Sequence, residues 1–347
     1  MVKKGCDIMI TYAFWNNKGG TGKTSLAFQT ISMFAEKNKK KKILVIDLCP
    51  QANLSELLLG GLMGKGAETL IKLYKEERRI SVGGYFQDRL PAPFTPPEIK
   101  PYSYLIKPKD VNPNIEENIY LLSGDPAVEL QTNAIATLAN TQLPGTNTWI
   151  SVIDWINDFI RTIEDDFDFA FIDCNPSFSI YTQIALASAD KLLLPVMADD
   201  SSRRALQNVF SLVYGIEMPS DIYKEYSFAT KLKEAGRTFP LIHLIIKNRL
   251  TQYMGTSSAY NAVLTSIDRD VDKIMDKNSD IFSFDERSKG IVEIRDFQTT
   301  GVVSFAEGTP FSRLRTGSHN IFEKDTNINA EYLGNCIEAV EELVDLI

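Results

Sequence analysis

The sequence predicts an α/β protein in which a mostly parallel central sheet is covered by helices on both faces. Apolar runs rich in strand-forming residues alternate with stretches whose apolar residues recur at helical spacing. Such alternation is typical of parallel strands joined by helical crossovers. Residues 43–46 are continuously apolar, as expected for a strand buried on both faces. A glycine-rich turn between the first strand and the first helix is the third observation.

The elements follow from these patterns in chain order. Strands are predicted over residues 8–14, 43–46, 119–122, 169–172, 192–196 and 241–246. Helices are predicted over residues 23–37, 149–164, 180–187, 259–275 and 330–347. A further helix is expected to begin after Ser201 and Ser202, whose hydroxyl oxygens would cap it.

Residues from about 60 to 118 differ in composition from the rest of the chain. Seven of the fifteen prolines fall here, with Gly-Gly pairs at 60–61 and 83–84. Because proline blocks helices and central strands, we expect an irregular surface insertion, with short helices around residues 68–77. We predict one domain spanning residues 1–347 with this insertion within it.

Composition limits the kinds of chemistry and location. Apolar residues make up 44% of the 347-residue chain and charged residues 24%, as in ordinary globular proteins. The four cysteines lie far apart, and with only two histidines the chain offers no zinc pattern. We find no signal-peptide pattern and no apolar run long enough to span a bilayer, so we expect a cytoplasmic protein. The net charge of −8 confines any DNA-binding surface to a local patch.

The glycine-rich turn, residues 16–24, reads Asn-Asn-Lys-Gly-Gly-Thr-Gly-Lys-Thr. A loop of inward-pointing backbone amides that opens onto a helix N-terminus binds phosphate groups. Glycines allow this loop to wrap closely, Lys23 can reach the terminal phosphates, and the Thr24 hydroxyl is placed for Mg²⁺. The candidate phosphate-binding residues of the loop are Gly19, Gly20, Thr21, Gly22, Lys23, Thr24 and Ser25.

Asn17 stands where the usual phosphate-binding loop has glycine, and Lys18 follows it. In this the sequence resembles the ParA/MinD family of deviant Walker ATPases, which carry a lysine at this point. The resemblance implies a P-loop ATPase that forms a homodimer with ATP sandwiched between the subunits. Lys18 would then reach the phosphates held by the other subunit, where an added cation stabilises the charge.

Two aspartates at strand ends extend the resemblance. Residues 45–55 resemble the family's Asp-x-Asp-Pro-Gln segment, and residues 167–177 resemble its Walker B strand. The resemblance implies that Asp47 and Asp173 hold the water shell of Mg²⁺, together with Thr24. It also makes Asp47 a candidate catalytic residue beside Lys18 and Lys23.

Cys49 departs from the family pattern, because it occupies the position of the second aspartate in the Asp-x-Asp-Pro-Gln segment. In the family that carboxylate positions the attacking water, which a neutral thiol does poorly. We therefore expect either very slow hydrolysis or substitution by another group, such as Asp199, Asp200 or Asn175.

Weaker similarity continues toward the C-terminus. Residues 304–311 resemble the family's late Gly-x-Pro loop near the adenine. The resemblance implies Asn248 and Pro310 as further nucleotide contacts.

The target of the ATPase is left open by the sequence. Arg203, Arg204 and Arg249 are the candidate DNA contacts. The C-terminal helix carries glutamates on its polar face, which disfavours a membrane anchor and favours core packing. Three alternatives remain: a DNA-partition or positioning ATPase with a regulatory partner protein, an ATP-dependent protein-interaction switch without DNA binding, and a small-molecule P-loop synthetase.

Overall fold

The computed structural model describes residues 9–96, 98–250 and 258–347. In these ranges the chain forms an eight-stranded sheet with the strand order β3-β4-β2-β5-β1-β6-β7-β8 and a separate two-stranded hairpin, β9-β10. All pairs in the large sheet are parallel except β3 with β4. The predicted mostly parallel α/β architecture is confirmed.

The strands have the following bounds: β1 Ile10–Phe14, β2 Ile43–Leu48, β3 Leu105–Ile106, β4 Ile119–Leu122, β5 Phe169–Cys174, β6 Lys191–Val196, β7 Leu241–Leu250, β8 Ile291–Arg295, β9 Gly317–Ile321 and β10 Lys324–Ile328.

The helices have the following bounds: α1 Lys23–Lys37, α2 Asn53–Leu58, α3 Gly66–Lys75, α4 Val82–Arg89, α5 Ala127–Asn140, α6 Thr148–Ile153, α7 Trp155–Arg161, α8 Ile180–Ala187, α9 Asp200–Tyr214, α10 Asp221–Glu225, α11 Phe228–Glu234, α12 Ser258–Met275, α13 Arg287–Gly290, α14 Gln298–Glu307 and α15 Ala330–Val344.

Side chains of the central strands alternate between two hydrophobic cores. In β2, Leu44 and Ile46 belong to one buried cluster and Ile43 and Val45 to the other. Successive strand residues point to opposite faces of a sheet, so the two clusters lie on its two sides. Helices α5 to α9 cover the first face, and α1, α2, α14 and α15 cover the second.

The segment 60–118 is more ordered than an irregular surface insertion. It contains α3, α4 and the antiparallel edge strand β3. Tyr85 and Phe86 on α4 are completely buried in the main core. Serine capping explains the helix despite its two glycines, because Ser81 accepts a hydrogen bond from Gly84 N. Among the described residues, the proline-rich stretch after α4 and the residues just before β4 correspond to the expected irregular chain.

Other differences concern helix ends and late elements. The predicted helix over residues 149–164 is two helices, α6 and α7, which meet at Asp154. The cap of α9 is Asp199, whose side chain accepts from Ser202 N, and the predicted caps Ser201 and Ser202 lie inside the helix. Asp199 caps the helix and the two serines do not, because the capping residue must precede the first helical turn.

The C-terminal helix α15 packs into the core, as expected. Leu333, Val340 and Leu343 are buried in the cluster that also contains α1. None of the described helices is both long enough and apolar enough to cross a membrane.

Candidate nucleotide-binding site

The phosphate-binding loop connects β1 at the centre of the sheet to α1. Gly20 and Gly22 have φ angles of 75° and 76°, in the left-handed region that favours glycine. Gly22 is the N-cap of α1, and among the described residues no side-chain hydrogen bond caps the first turn of this helix. The positive end of the helix is therefore left for an external anion, as the sequence predicts.

Three hydrogen bonds hold this loop from behind. Asn16 is completely buried; its amide donates to Pro195 O at 2.6 Å, and its oxygen accepts from Lys18 N at 3.0 Å. Asn248 Nδ2 donates to Thr21 O at 2.9 Å. Asn248 thus lies against the phosphate-binding loop, which is compatible with its predicted role at the nucleotide.

Thr24 and Asp173 form the part of the site that fits a magnesium ion. Thr24 Oγ1 donates to Asp173 Oδ2 at 2.9 Å, while the buried Asp173 Oδ1 has no hydrogen-bond partner among the described residues. Burial raises the pKa of Asp173, and the neighbouring positive charge of Lys23 opposes this shift. An orphaned carboxylate oxygen beside a hydroxyl offers hard oxygen ligands of the kind Mg²⁺ prefers.

Asp47 lies beside Asp173 but is engaged differently. The two residues are direct register partners on β2 and β5, and both are completely buried. Asp47 Oδ1 accepts from Cys49 N at 3.0 Å, and Oδ2 accepts from Ser55 N at 2.9 Å and Ser55 Oγ at 2.8 Å. Burial, together with the charge of Asp173, raises the pKa of Asp47 to about 7.

These contacts indicate different structural roles for the carboxylates of Asp47 and Asp173. Asp47 braces the turn that leads from β2 to α2, whereas Asp173 keeps one oxygen free for a ligand. Within the described residues, no cluster of three or more His, Cys, Asp or Glu side chains could hold a metal by itself. A magnesium ion here would depend on Thr24, Asp173 and the nucleotide's own phosphates.

Cys49 is a neutral thiol at this site. Its Sγ lies 2.8 Å from Gln51 Oε1 and 3.9 Å from Asn175 Oδ1. Burial and the charges of Asp47 and Asp173 raise the pKa of Cys49 to about 12. The thiol therefore supplies no negative charge at this position.

Lys18 is held by its own subunit in this structure. Its Nζ lies 2.5 Å from Asp199 Oδ2 and 3.2 Å from Ser202 Oγ. Burial alone would raise the pKa of Asp199, but the hydrogen bonds from Lys18 and Ser202 N lower it to about 2. The loop lysine is therefore tied to the first turn of α9.

The other predicted nucleotide contacts, Ser25 and Pro310, differ in their relation to the phosphate-binding loop. Ser25 is in the first turn of α1 and is partly exposed. Pro310 is buried next to Phe311, whose amide donates to Gln29 Oε1 on α1 at 2.9 Å. These contacts place the Gly-x-Pro loop against the middle of α1, and no described contact joins Pro310 to residues 16–24.

The three candidate DNA-contacting arginines fall into two groups. Arg203 pairs with Asp200 and Asp270, and Arg204 pairs with Asp200. Arg249 instead lies beside the phosphate-binding loop, since a Cβ atom added to Gly22 would be 3.3 Å from its Nε. Its position suits a nucleotide contact better than a DNA contact.

Some site residues escaped the sequence reasoning. Asn16 and Ser55 hold the loop and Asp47 in place, and Ser202 accepts from Lys18. Asp199 was considered only as a substitute for the missing carboxylate. An Asp three residues before Ser202 is a helix-start signal, and this signal could have identified Asp199 as the cap of α9.

The fold and the loop define a P-loop nucleotide-binding protein. A family described as "AAA domain" matches residues 9–223, and the chain belongs to it. Its similarities place it among the ParA/MinD-like ATPases of this family, a P-loop family associated with ATP binding and hydrolysis.

Curated relatives share about a quarter of their aligned residues with this chain. The virulence plasmid ParA family protein pGP5-D of Chlamydia psittaci is 24% identical over 202 residues, 58% of this chain and 62% of that protein. The chromosome partitioning protein ParA of Myxococcus xanthus is 25% identical over 203 residues, 58% of this chain and 56% of that protein. The maintenance of carboxysome distribution protein A of Synechococcus elongatus is 23% identical over 205 residues, 59% of this chain and 65% of that protein. The matches thus span less than two thirds of these relatives.

Solved structures with the same fold cover nearly the whole chain. A variant of McdA of Cyanothece in complex with ATP has a TM-score of 0.61 at 14% identity, covering 98% of this chain and 96% of that one. A plasmid partition protein of Borrelia burgdorferi has a TM-score of 0.51 at 15% identity, covering 98% and 100%. At such low identity the likeness establishes the fold.

Proposed function

We propose that this chain is a cytoplasmic nucleotide switch of the ParA type, which binds Mg-ATP and forms a homodimer with ATP sandwiched between the subunits. The observation that carries the proposal is the position of Lys18, a second lysine on the phosphate-binding loop. Its ammonium group contacts Asp199 and Ser202 at the start of α9, and among the described residues no group of the loop itself is its partner. The role of such a switch would be DNA partition or intracellular positioning. The relatives named for plasmids, chromosome partitioning and carboxysome distribution support this range of roles.

ATP binding would use groups that the structure already orients. The loop amides and Lys23 would hold the phosphates, and Thr24 and Asp173 would hold Mg²⁺, whose water shell Asp47 would support. The metal would neutralise charge that develops on the phosphates. Asn248 and Arg249 line the loop on the side of Gly22 and are further candidates for nucleotide contacts.

Dimerisation would release Lys18 from Asp199. The lysine side chain is about a quarter exposed, so it can exchange its partner without the core being disturbed. In a dimer, the phosphates of the other subunit's ATP would replace Asp199 as its anionic partner. ATP would then hold the two subunits together, and hydrolysis would separate them.

Hydrolysis is expected to be slow because Cys49 cannot act as a base. A thiol with a pKa of about 12 stays protonated at neutral pH and orients water poorly. Such a dimer would persist long after ATP binds.

The test is the molar mass by light scattering in Mg-ATP, in Mg-ADP and without nucleotide, with phosphate release followed in the same samples. The proposal requires a dimer in Mg-ATP alone. Lys18→Ala should bind ATP as a monomer and fail to dimerise, whereas Lys39→Ala should behave like the native chain. Lys39 is a matched control because it is an exposed lysine in the turn between α1 and β2. Unchanged dimerisation of Lys18→Ala would exclude the sandwich.

A second candidate function is an ATP-dependent protein-interaction switch without DNA binding. The ion pairs of Arg203 and Arg204 favour it, because both guanidinium groups already face carboxylates. DNA retardation with and without Mg-ATP at a stated salt concentration separates the two candidates. Retardation only with ATP supports partition, and none at low salt supports the protein switch.

A further inference from the structure

An apolar groove lies on the sheet face that carries α5 to α9. It is lined chiefly by Trp149, Phe178, Leu212, Met218, Tyr226 and Phe228, and it has a volume of about 330 Å³. We call it the aromatic groove. Its volume falls in the range of pockets that accept large side chains or small ligands.

The floor of the groove is built from aromatic rings packed against one another. The rings of Trp149 and Phe228 meet edge to face at 5.8 Å, and those of Phe178 and Phe228 at 5.7 Å. Phe178 also packs on the buried Trp15 with ring centroids 5.6 Å apart. Packed aromatic rings of this kind form the pre-organised centre of many protein interfaces.

Largely exposed apolar side chains occur at residues 222–226, and one of them, Tyr226, lines the groove. Helix α10 has no buried residue, and Ile222, Tyr223 and Tyr226 are 69%, 62% and 68% exposed. Three large apolar side chains within five residues, beside an open apolar groove, are typical of a protein-binding surface.

One positive charge, that of Lys231, lies in the groove. Lys231 is half-buried, its Nζ lies 5.4 Å from the centre of the Trp149 ring, and Asn140 Oδ1 is 3.5 Å away. Within the described part of the chain, no carboxylate forms an ion pair with it. Burial lowers the pKa of Lys231, and the charge of Glu234 on the same helix opposes this shift without cancelling it. An anionic group from outside would compensate this charge.

We propose that the aromatic groove docks a partner protein through a short segment in which a carboxylate lies next to an apolar or aromatic side chain. The apolar side chain would fill the groove against Trp149 and Phe228, and the carboxylate would pair with Lys231. Tyr226 would close over the segment from the rim. This site is distinct from the nucleotide site, so the proposal stands whether or not the chain is an ATP switch.

The groove also adjoins the nucleotide site through one loop. Phe178 lies in the loop that joins β5 to α8, and the same loop carries Asn175 beside Cys49. A segment docked against Phe178 would therefore contact this loop three residues after Asn175, which lies beside the thiol of Cys49.

The test is selection from a displayed library of random 12-residue peptides on the nucleotide-free full-length chain. The proposal expects a consensus with Asp or Glu within a few positions of an aromatic or large aliphatic residue. Fluorescence anisotropy of one consensus peptide then measures affinity. Lys231→Glu should weaken binding at least tenfold, and Tyr226→Ser should weaken it several-fold. Lys233→Glu should leave it unchanged, because Lys233 is an exposed lysine on the same helix with its ammonium over Phe239.

Reversing the charges of both Lys231 and the peptide distinguishes a lost ion pair from a misfolded variant. A peptide with Lys in place of its carboxylate should bind the Lys231→Glu chain better than the native chain, which a merely misfolded variant could not do. Circular dichroism checks that the variants fold. A consensus without acidic residues, equal binding to Lys231→Glu, or no enriched peptide would each overturn the proposal. A nucleotide-free dimer that Lys231→Glu dissociates would assign the groove to a second copy and overturn it as well.

Discussion

The ammonium group of Lys18 lies 2.5 Å from Asp199 Oδ2, and the same carboxylate caps α9 by accepting from Ser202 N at 2.7 Å. One side chain thus fixes the start of a helix and holds the lysine that the proposed dimer requires. The pair links the phosphate-binding loop to α9 across 181 positions of sequence. Dimerisation has to break this ion pair, so its strength enters the dimerisation equilibrium.

Asp199→Asn should therefore favour ATP-dependent dimerisation. Asparagine caps helices as well as aspartate does, so α9 should remain intact while Lys18 loses its charged partner. A partly exposed ion pair contributes about 0.2–1 kcal/mol, which corresponds to roughly a 1.4- to fivefold lower ATP concentration at half-dimerisation. Light scattering across an ATP titration measures this.

Asp200→Asn is the control for that experiment, because Asp200 pairs with Arg203 and Arg204 and not with Lys18. A loss of ATP turnover in Asp199→Asn, without easier dimerisation, would instead show that Asp199 has taken over the role of the missing carboxylate.

Cys49→Asp should accelerate ATP hydrolysis. The substitution restores an acidic side chain at the end of β2, next to Asn175. General-base assistance contributes about 10²–10⁴-fold, and we expect at least a tenfold higher rate of phosphate release. Cys49→Ser should show no such gain, because a serine hydroxyl is also uncharged. A rate that is equal in the two variants would contradict the assignment of Cys49 as the cause of slow turnover.

The sequence predicted best those elements whose pattern is local. Helix α1 has the predicted bounds, Lys23–Lys37, because its apolar residues recur regularly between a glycine cap and a lysine cluster. Helix α5 was not predicted. Its Leu130 is 86% exposed, and this outward leucine obscures the buried positions Val128 and Ile135. The hairpin β9-β10 was missed because its strands are mostly polar and lack an apolar alternation.

The candidate site likewise combines local features, which the sequence predicts, with tertiary contacts, which it does not. The phosphate-binding residues are adjacent in sequence, so their spacing alone predicts the loop. The pairing of Lys18 with Asp199 and the bracing of Asp47 by Ser55 depend on tertiary contacts, which one sequence does not encode as a pattern. That Asp173 Oδ1 lacks a partner among the described residues could be learned only from the folded structure.

Asp173→Asn should stabilise the nucleotide-free protein and abolish its stabilisation by Mg-ATP. Asp47 and Asp173 are buried side by side, and removing one of two crowded carboxyls relieves a cost of about 1–2 kcal/mol. Asparagine still accepts from Thr24 Oγ1 but is a poorer magnesium ligand. Thermal unfolding with and without Mg-ATP measures both effects.

Asp168→Asn is the matched control, since Asp168 precedes the opposite end of β5 and accepts from Lys42 N at 2.8 Å. It should lose a little stability and keep the full response to Mg-ATP. An Asp173→Asn chain that Mg-ATP stabilises as much as the native protein would remove Asp173 from the proposed metal site.

His243 should make the protein less stable in mild acid. Its ring nitrogens lie 2.7 Å from Ser283 Oγ and 2.9 Å from Leu346 O, and its pKa is lowered to about 4 by burial and by the charge of Lys191. The folded chain therefore binds this proton more weakly than the unfolded chain, in which the pKa is about 6.5. Stability should be complete above pH 6.5 and should fall as the pH drops from 6.5 toward 4.

The expected loss is about 1–2 kcal/mol, after the full shift is discounted for partial exposure of the ring. Urea unfolding at pH values between 4.5 and 7 measures it. His243→Gln carries no titrating group, so its stability should depend less on pH over this range. His319→Gln should keep the native dependence from His243, since His319 lies elsewhere, paired with Glu307. If native and His243→Gln chains lose stability in parallel, the acid sensitivity comes from other groups.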